Sequence, residues 1–274
     1  MCEITGCGSH QAMPEIKVTP TERRQFLKGI ISLPLATVLA YPELSRAAAD
    51  TTEEISLTTD RGKLVSGALA RPDNPQAPTI LLIHEWWGLN DQIKSVAVEL
   101  AKQGYLALAV DLYDGNVATT PDGARSLMQG VDGAVAIDIL LSWINTLKNH
   151  RDGNGKVGTV GWCFGGGWSL NASLSSPVDA TVIYYGNVKK KAAELSTLNN
   201  PVMGHFATKD GWINQEMVNG FTDAMKQAGK VDNLTVHWYE ADHAFANPTS
   251  ARYDAEDASL AWQRTSDFFA EYLG

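Results

Sequence analysis

The stretch from Lys156 to Gly167 limits what this chain can fold into more than any other. Lys156 to Val160 is short, β-branched and bounded by Gly155 and Gly161, which predicts a buried strand. A helical pattern follows through Trp168, Leu170 and Leu174. Between them, Gly161-Trp162-Cys163-Phe164-Gly165-Gly166 places a cysteine at the apex of a sharp strand-to-helix corner. Residues two before and two after such an apex have room for almost no side chain, a demand the glycines meet. The corner also aims a helix N-terminus at the sulfur, where unpaired N–H groups favour a thiolate and any oxyanion beside it. A buried, inert Cys in a Gly-rich corner has the same local pattern. The rest of the chain must decide between the two.

The chain has 274 residues, room for one large α/β domain or two small ones. Its 44% hydrophobic and 19% charged content suffices for a sizeable core. A formal net charge of −9 argues against nucleic acid as a partner. The one basic run, Lys189-Lys190-Lys191, reads as a solvated surface.

Residues 1–49 read as a leader ahead of the fold. Thr21-Glu22-Arg23-Arg24-Gln25-Phe26-Leu27-Lys28 is a twin-arginine pattern, and the apolar stretch Gly29 to Tyr41 is short for a bilayer span. Ala47-Ala48-Ala49 before Asp50 has the small residues of a cleavage site. Together they resemble a bacterial twin-arginine signal peptide, whose export machinery moves folded proteins across the inner membrane. The expectation is a periplasmic or secreted monomer of residues 50–274, with an uncleaved anchor as the alternative. Cleavage would remove Cys2 and Cys7 and leave Cys163 as the sole thiol. A lone thiol in an oxidising compartment is a liability, which favours a working residue.

Along the chain, Glu53 to Thr59 and Lys63 to Ala70 predict two strands joined at Asp60-Arg61-Gly62. Thr79 to His84 and Tyr105 to Val110 are continuous apolar runs, the mark of parallel strands buried on both faces. Helices are predicted from Asn90 to Gly104 and around Val135 to Leu147, the second after a polar loop. Further strands are predicted at Ala180 to Tyr184, Pro201 to Ala207 and Leu234 to Tyr239. Helices interleave them, and a last one carries Leu260, Trp262, Phe268, Phe269 and Leu273. The alternation predicts a mainly parallel, doubly wound α/β sheet in a single domain.

Ligands of such sheets bind beyond the C-terminal ends of the strands. Glu85, Cys163, Asp210 and His243 each follow a predicted strand. The order nucleophile, acid, histidine is that of the α/β-hydrolase fold. An ordinary thiol, with a pKa of about 8.5, is mostly protonated at neutral pH. His243 is placed to take its proton and to return one to a leaving group, with Asp210 orienting the imidazole. Asp242 is the competing acid. The N–H groups of Phe164 and Trp86 are the expected oxyanion donors. His84 and His205 read as structural. No cofactor or metal is expected, since no pair of His has helical ligand spacing.

The pieces as a set resemble the dienelactone hydrolase family. They are His84-Glu85-Trp86-Trp87-Gly88-Leu89-Asn90, Asp111-Leu112-Tyr113, Gly161-Trp162-Cys163-Phe164-Gly165-Gly166, Tyr184-Tyr185-Gly186, Asp210 and His243-Ala244-Phe245, within roughly residues 53–273. The resemblance implies a Cys163–His243–Asp210 triad that hydrolyses an ester or lactone through an acyl-thioester. It also implies that Glu85 contacts the resting thiol and shifts when substrate binds. Members that open dienelactones hold the substrate carboxylate with two Arg residues. The corresponding regions here read Asp114-Gly115-Asn116 and Asn247, and Arg125 is a replacement without an assigned place. Tyr113, Trp212 and Phe245 are the expected substrate contacts, among aromatics that predict a less anionic, more apolar substrate. A binding protein without turnover and a thiol-based acyltransferase are the rival readings.

Overall fold

The computed structural model describes residues 16–274; Cys2 and Cys7 lie outside them. The chain opens with helices α1 (Pro20–Leu27), α2 (Leu35–Ala40) and α3 (Pro42–Ala49). Strands β1 (Glu53–Thr58), β2 (Leu64–Ala70) and β3 (Ala77–Ile83) follow, then α4 (Asp91–Lys102) and β4 (Leu106–Val110). Next come α5 (Pro121–Gln129), α6 (Gly133–Lys148), β5 (Gly153–Trp162), α7 (Phe164–Ser175), β6 (Ala180–Tyr184) and the single turn α8 (Ala192–Leu195). The chain closes with β7 (Val202–Ala207), α9 (Gln215–Gln227), β8 (Leu234–Tyr239) and α10 (Ala255–Leu273).

The eight strands form one sheet in the order β1-β2-β4-β3-β5-β6-β7-β8. β2 runs antiparallel to both of its neighbours, and all pairings from β4 to β8 are parallel. The central strands are continuous apolar runs because helices cover both faces. On one face, Ile80, Leu82, Ala107 and Val160 pack against Val96, Leu100 and Phe269 of α4 and α10. On the other, Leu81, Leu108 and Val157 meet Ile139, Leu140 and Trp143 of α6. β3 and β5 are adjacent at the middle of the sheet, so their C-terminal ends, carrying Glu85 and Cys163, open side by side.

Two segments depart from the sequence reading. The polar loop before α6 contains α5, started by Thr120, whose hydroxyl accepts the Gly123 N–H, and by Pro121. Its apolar face is weak, with Ala124 its only fully buried residue, so periodicity did not mark it. The stretch assigned to a leader is also partly packed. Pro34 confines helix in its apolar run to α2, Pro42 starts α3 beyond the run, and Ala48 and Ala49 let α3 approach α4 closely. Leu44 is fully buried there, and Ser95 Oγ lies 2.8 Å from the Ser45 carbonyl. Among the described residues no single helix is long and apolar enough to cross a membrane.

The corner between β5 and α7 is the tightest crossing in the sheet. A β-carbon on Gly161 would strike the Gly165 carbonyl, and one on Gly165 would strike the carbonyls of Ile83 and His84. All of these obstacles are backbone and cannot rotate away. Gly165→Ala should therefore cost about 3 kcal/mol or more. Urea denaturation at neutral pH checks this, and a loss under about 1 kcal/mol would mean the corner tolerates a side chain.

Candidate active site

Cys163 stands at this corner with φ 54° and ψ −112°, a conformation rare for a residue with a side chain. Its N–H is tied to the Tyr184 carbonyl at 3.0 Å, and its carbonyl accepts the Gly166 N–H at 3.1 Å, the first bond of α7. The thiol is half-buried.

His243 and Asp210 come from the loops after β8 and β7. The buried Asp210 carboxylate accepts His243 Nδ1–H at 2.6 Å on one oxygen. On the other it accepts the N–H groups of Trp212 at 2.8 Å and Ile213 at 3.0 Å. Burial pushes Asp210 up, but the His243 bond and these two N–H groups outweigh it and hold the carboxyl below its usual range. A carboxylate at Nδ1 fixes that proton, so in neutral His243 the lone pair lies on Nε2. Nε2 is buried, on a ring that lines the same cavities as Cys163. Burial opposes charge on His243, yet Cys163 and then Asp210 overcome it and raise its pKa to about 10. Asp242, the competing acid, is exposed.

Glu85 is buried at the end of β3, and Asn247 Nδ2 donates to its Oε2 at 2.8 Å. His84 beside it is structural. It lies 2.6 Å through Nδ1 from the Glu85 carbonyl, and its Nε2 accepts the Leu112 N–H at 3.2 Å. Burial lowers its pKa to about 4, so it stays neutral and clamps the β3 end to the loop after β4. His205 is likewise a core residue, bonded to Tyr239 and Thr265.

Two cavities meet at Cys163 and His243. One, of about 190 Å³, includes Glu85, Trp87 and Asn247. The other, of about 760 Å³, includes Phe164, Trp168 and Trp212. Trp86 borders both. Among the described residues the N–H groups of Trp86 and Phe164 meet no acceptor. Trp212 lines the larger cavity and stands edge-on to His243, ring centroids 5.4 Å apart. Tyr113 packs on His84 and Phe164, and its hydroxyl makes no hydrogen bond. Burial, and then the charge of Cys163, raise its pKa. Tyr113 borders a separate cavity beside α5 and α6 rather than the two at the thiol.

Phe245 is a correction. Its ring is fully buried between Tyr185 and Tyr239, behind the site, because the residue two after His243 points back into the sheet. Lys189 and Lys191 are solvent-exposed, as the sequence reading has them, and Lys189 with the half-buried Lys190 also borders the larger cavity, as does Arg125. A run of lysines carries no pattern that tells which cleft it flanks, so only the fold could place them.

A sequence model of the "Dienelactone hydrolase family" matches residues 65–273. The chain belongs to that family. It is 30% identical over 234 residues to the carboxymethylenebutenolidase of Pseudomonas putida, covering 80% of this chain and 96% of that one. Carboxymethylenebutenolidase 1 of Cupriavidus pinatubonensis is 26% identical over 226 residues, covering 79% of this chain and 95% of that one. Among solved structures, a putative dienelactone hydrolase from Klebsiella pneumoniae superposes with a TM-score of 0.72 at 28% identity, covering 81% of this chain and 98% of that one. A Pyrococcus furiosus esterase at 16% identity and TM-score 0.60, covering 81% of this chain and 93% of that one, shares the fold alone. The architecture is the α/β-hydrolase fold in a single domain, and membership makes the chain an ester or lactone hydrolase of carboxymethylenebutenolidase type.

A His whose pKa rises from 6.5 to about 10 on folding contributes stability in full below about pH 6.5 and loses it as pH climbs through 10. Urea unfolding should therefore show stability falling between pH 7 and pH 10. Cys163→Ala removes the largest raising influence and should flatten that fall; an identical pH slope in both proteins would contradict the coupling.

Proposed function

We propose that this hydrolase uses Cys163 as nucleophile, His243 as general base and acid, and Asp210 as the group that orients the imidazole. The observation that carries the reading is the 2.6 Å His243–Asp210 bond, on a ring that lines the same cavities as Cys163 and is held in its charged form chiefly by Cys163 and Asp210. Sγ, its proton held by Nε2, attacks the scissile carbonyl carbon. The C=O electron pair moves onto oxygen, where the N–H groups of Trp86 and Phe164 are the donors at hand. Collapse breaks the ester C–O bond, and Nε2 returns the proton to the departing alkoxide, leaving a thioester on Cys163. Water then attacks the thioester while its proton goes to Nε2. The sulfur departs, and the carboxylic acid is released.

Glu85 is the group that adjusts the thiol, in keeping with the family resemblance. Asn247, which stands where an Arg is expected, donates a neutral hydrogen bond to it where a guanidinium would bring a positive charge. Residues 1–49 serve as a twin-arginine leader that delivers the folded enzyme to the periplasm, where Cys163 works as the lone thiol. Intact mass of periplasmic protein tests this, with Asp50 expected as the first residue.

Cys163→Ala should abolish cleavage of p-nitrophenyl acetate and of dienelactone, with circular dichroism unchanged. Retained activity would end the thiol assignment. Wild-type protein that cleaves neither ester nor lactone, yet acylates added amines or alcohols, would favour a transferase. Glu85→Gln should lower kcat/KM by about 10²-fold while the fold persists.

A further inference from the structure

Going further on that reading, we propose that the larger cavity selects an aromatic ester or lactone bearing a carboxylate remote from the scissile carbonyl, with Lys189, Lys190 and Arg125 binding the carboxylate. The cavity measures about 760 Å³, within the range of sites that enclose drug-sized ligands, about 300–1,000 Å³. A compact lactone leaves most of it unfilled. Trp86, Phe164, Trp168 and Trp212 supply four aromatic faces or edges around it, a lining suited to a flat ring.

Its charge is inverted relative to the chain. The protein carries 31 acidic and 22 basic residues. Yet three cations and no Asp or Glu border this cavity among the described residues. Two separate elements supply them: Arg125 from α5, and the lysines from the segment after β6. Arg125 pairs with Asp122 at 3.3 Å, and Lys190 with Glu194 at 3.5 Å. Both acids are open to solvent and lie outside the lining, while the cations are half-buried, so the acids steady the cations without filling the site. An ion pair whose acid is solvated is weak and can give way to a carboxylate placed inside the cavity.

The reacting end lies elsewhere in the same cavity, at Cys163 and His243. The sulfur stands at the β5–α7 corner, whereas Arg125 comes from α5 and the lysines from the segment after β6, so a substrate that spans the cavity sets its carbonyl on the sulfur and its carboxylate among the cations. The absence of a guanidinium at Asn116 and Asn247 does not make the substrate neutral; the negative charge is read from a different side of the cleft.

The test uses the full chain and three probes: monomethyl terephthalate, the neutral analogue methyl 4-acetylbenzoate, and the small aliphatic monomethyl succinate. Monomethyl terephthalate should have the highest kcat/KM. The ratio of its kcat/KM to that of the acetyl analogue should fall about tenfold in Lys189→Ala/Lys190→Ala, through KM. Lys189→Arg/Lys190→Arg should restore it, and 0.5 M NaCl should lower it in wild type. A ratio unchanged in the double alanine variant would overturn the proposal, as would preference for monomethyl succinate. If no probe is turned over, calorimetry with terephthalate decides. Binding weakened about tenfold in the double variant supports the site, and no binding to wild type overturns it. Turnover that survives Cys163→Ala would instead overturn the thiol mechanism and leave the charge ratio to be judged separately.

Discussion

The left-handed backbone of Cys163, pressed between glycines, is the constraint on which the site depends. A side-chain-bearing residue at φ 54° costs about 1–3 kcal/mol. The fold offsets that cost with close backbone packing: Gly161 against Gly165, and Gly165 against the carbonyls of Ile83 and His84. The same packing forces the start of α7 onto the end of β3. Phe164 and Trp86, whose N–H groups are the proposed oxyanion donors, are brought to the same rim by that contact.

The acid and base sides rest on electrostatics rather than sterics. Asp210 is buried and satisfied by three donors, so its charge is retained and its orientation fixed. His243 thereby holds its Nδ1 proton and presents Nε2. His84, fully buried with a backbone carbonyl and N–H on its ring, goes the opposite way and stays neutral. Two histidines at the same rim thus differ because one faces Cys163 and the Asp210 carboxylate, whereas burial decides the other.

Much of this was legible in the chain. The glycine spacing around Cys163 is a steric requirement that sequence records directly, and the continuous apolar runs marked the central strands. Asp210 and His243 were readable because each follows a strand that ends at the same rim. What escaped was decided by direction or by long-range packing. Phe245 lies two residues after His243, but its ring turns into the core. Lys189, Lys190 and Arg125 are far apart in sequence from Cys163, and nothing local records the cleft they share. α5 has too little apolar face to register, and the docking of α2 and α3 depends on a complementary surface of α4. Of the aromatics near strand ends, Trp86, Trp87 and Trp212 line the cavities at the thiol, and Tyr113, Trp162 and Phe245 do not; the missing guanidiniums at two positions said nothing about cations elsewhere.

Trapping the acyl intermediate tests the account most directly. Wild-type protein would be mixed with p-nitrophenyl acetate, quenched in acid within the first turnover, and its peptides weighed. The account predicts one acetyl adduct on the peptide containing Cys163, labile to hydroxylamine at neutral pH as a thioester is. Steady release of nitrophenol with no adduct on that peptide, or an adduct on another residue that turns over at the catalytic rate, would contradict it.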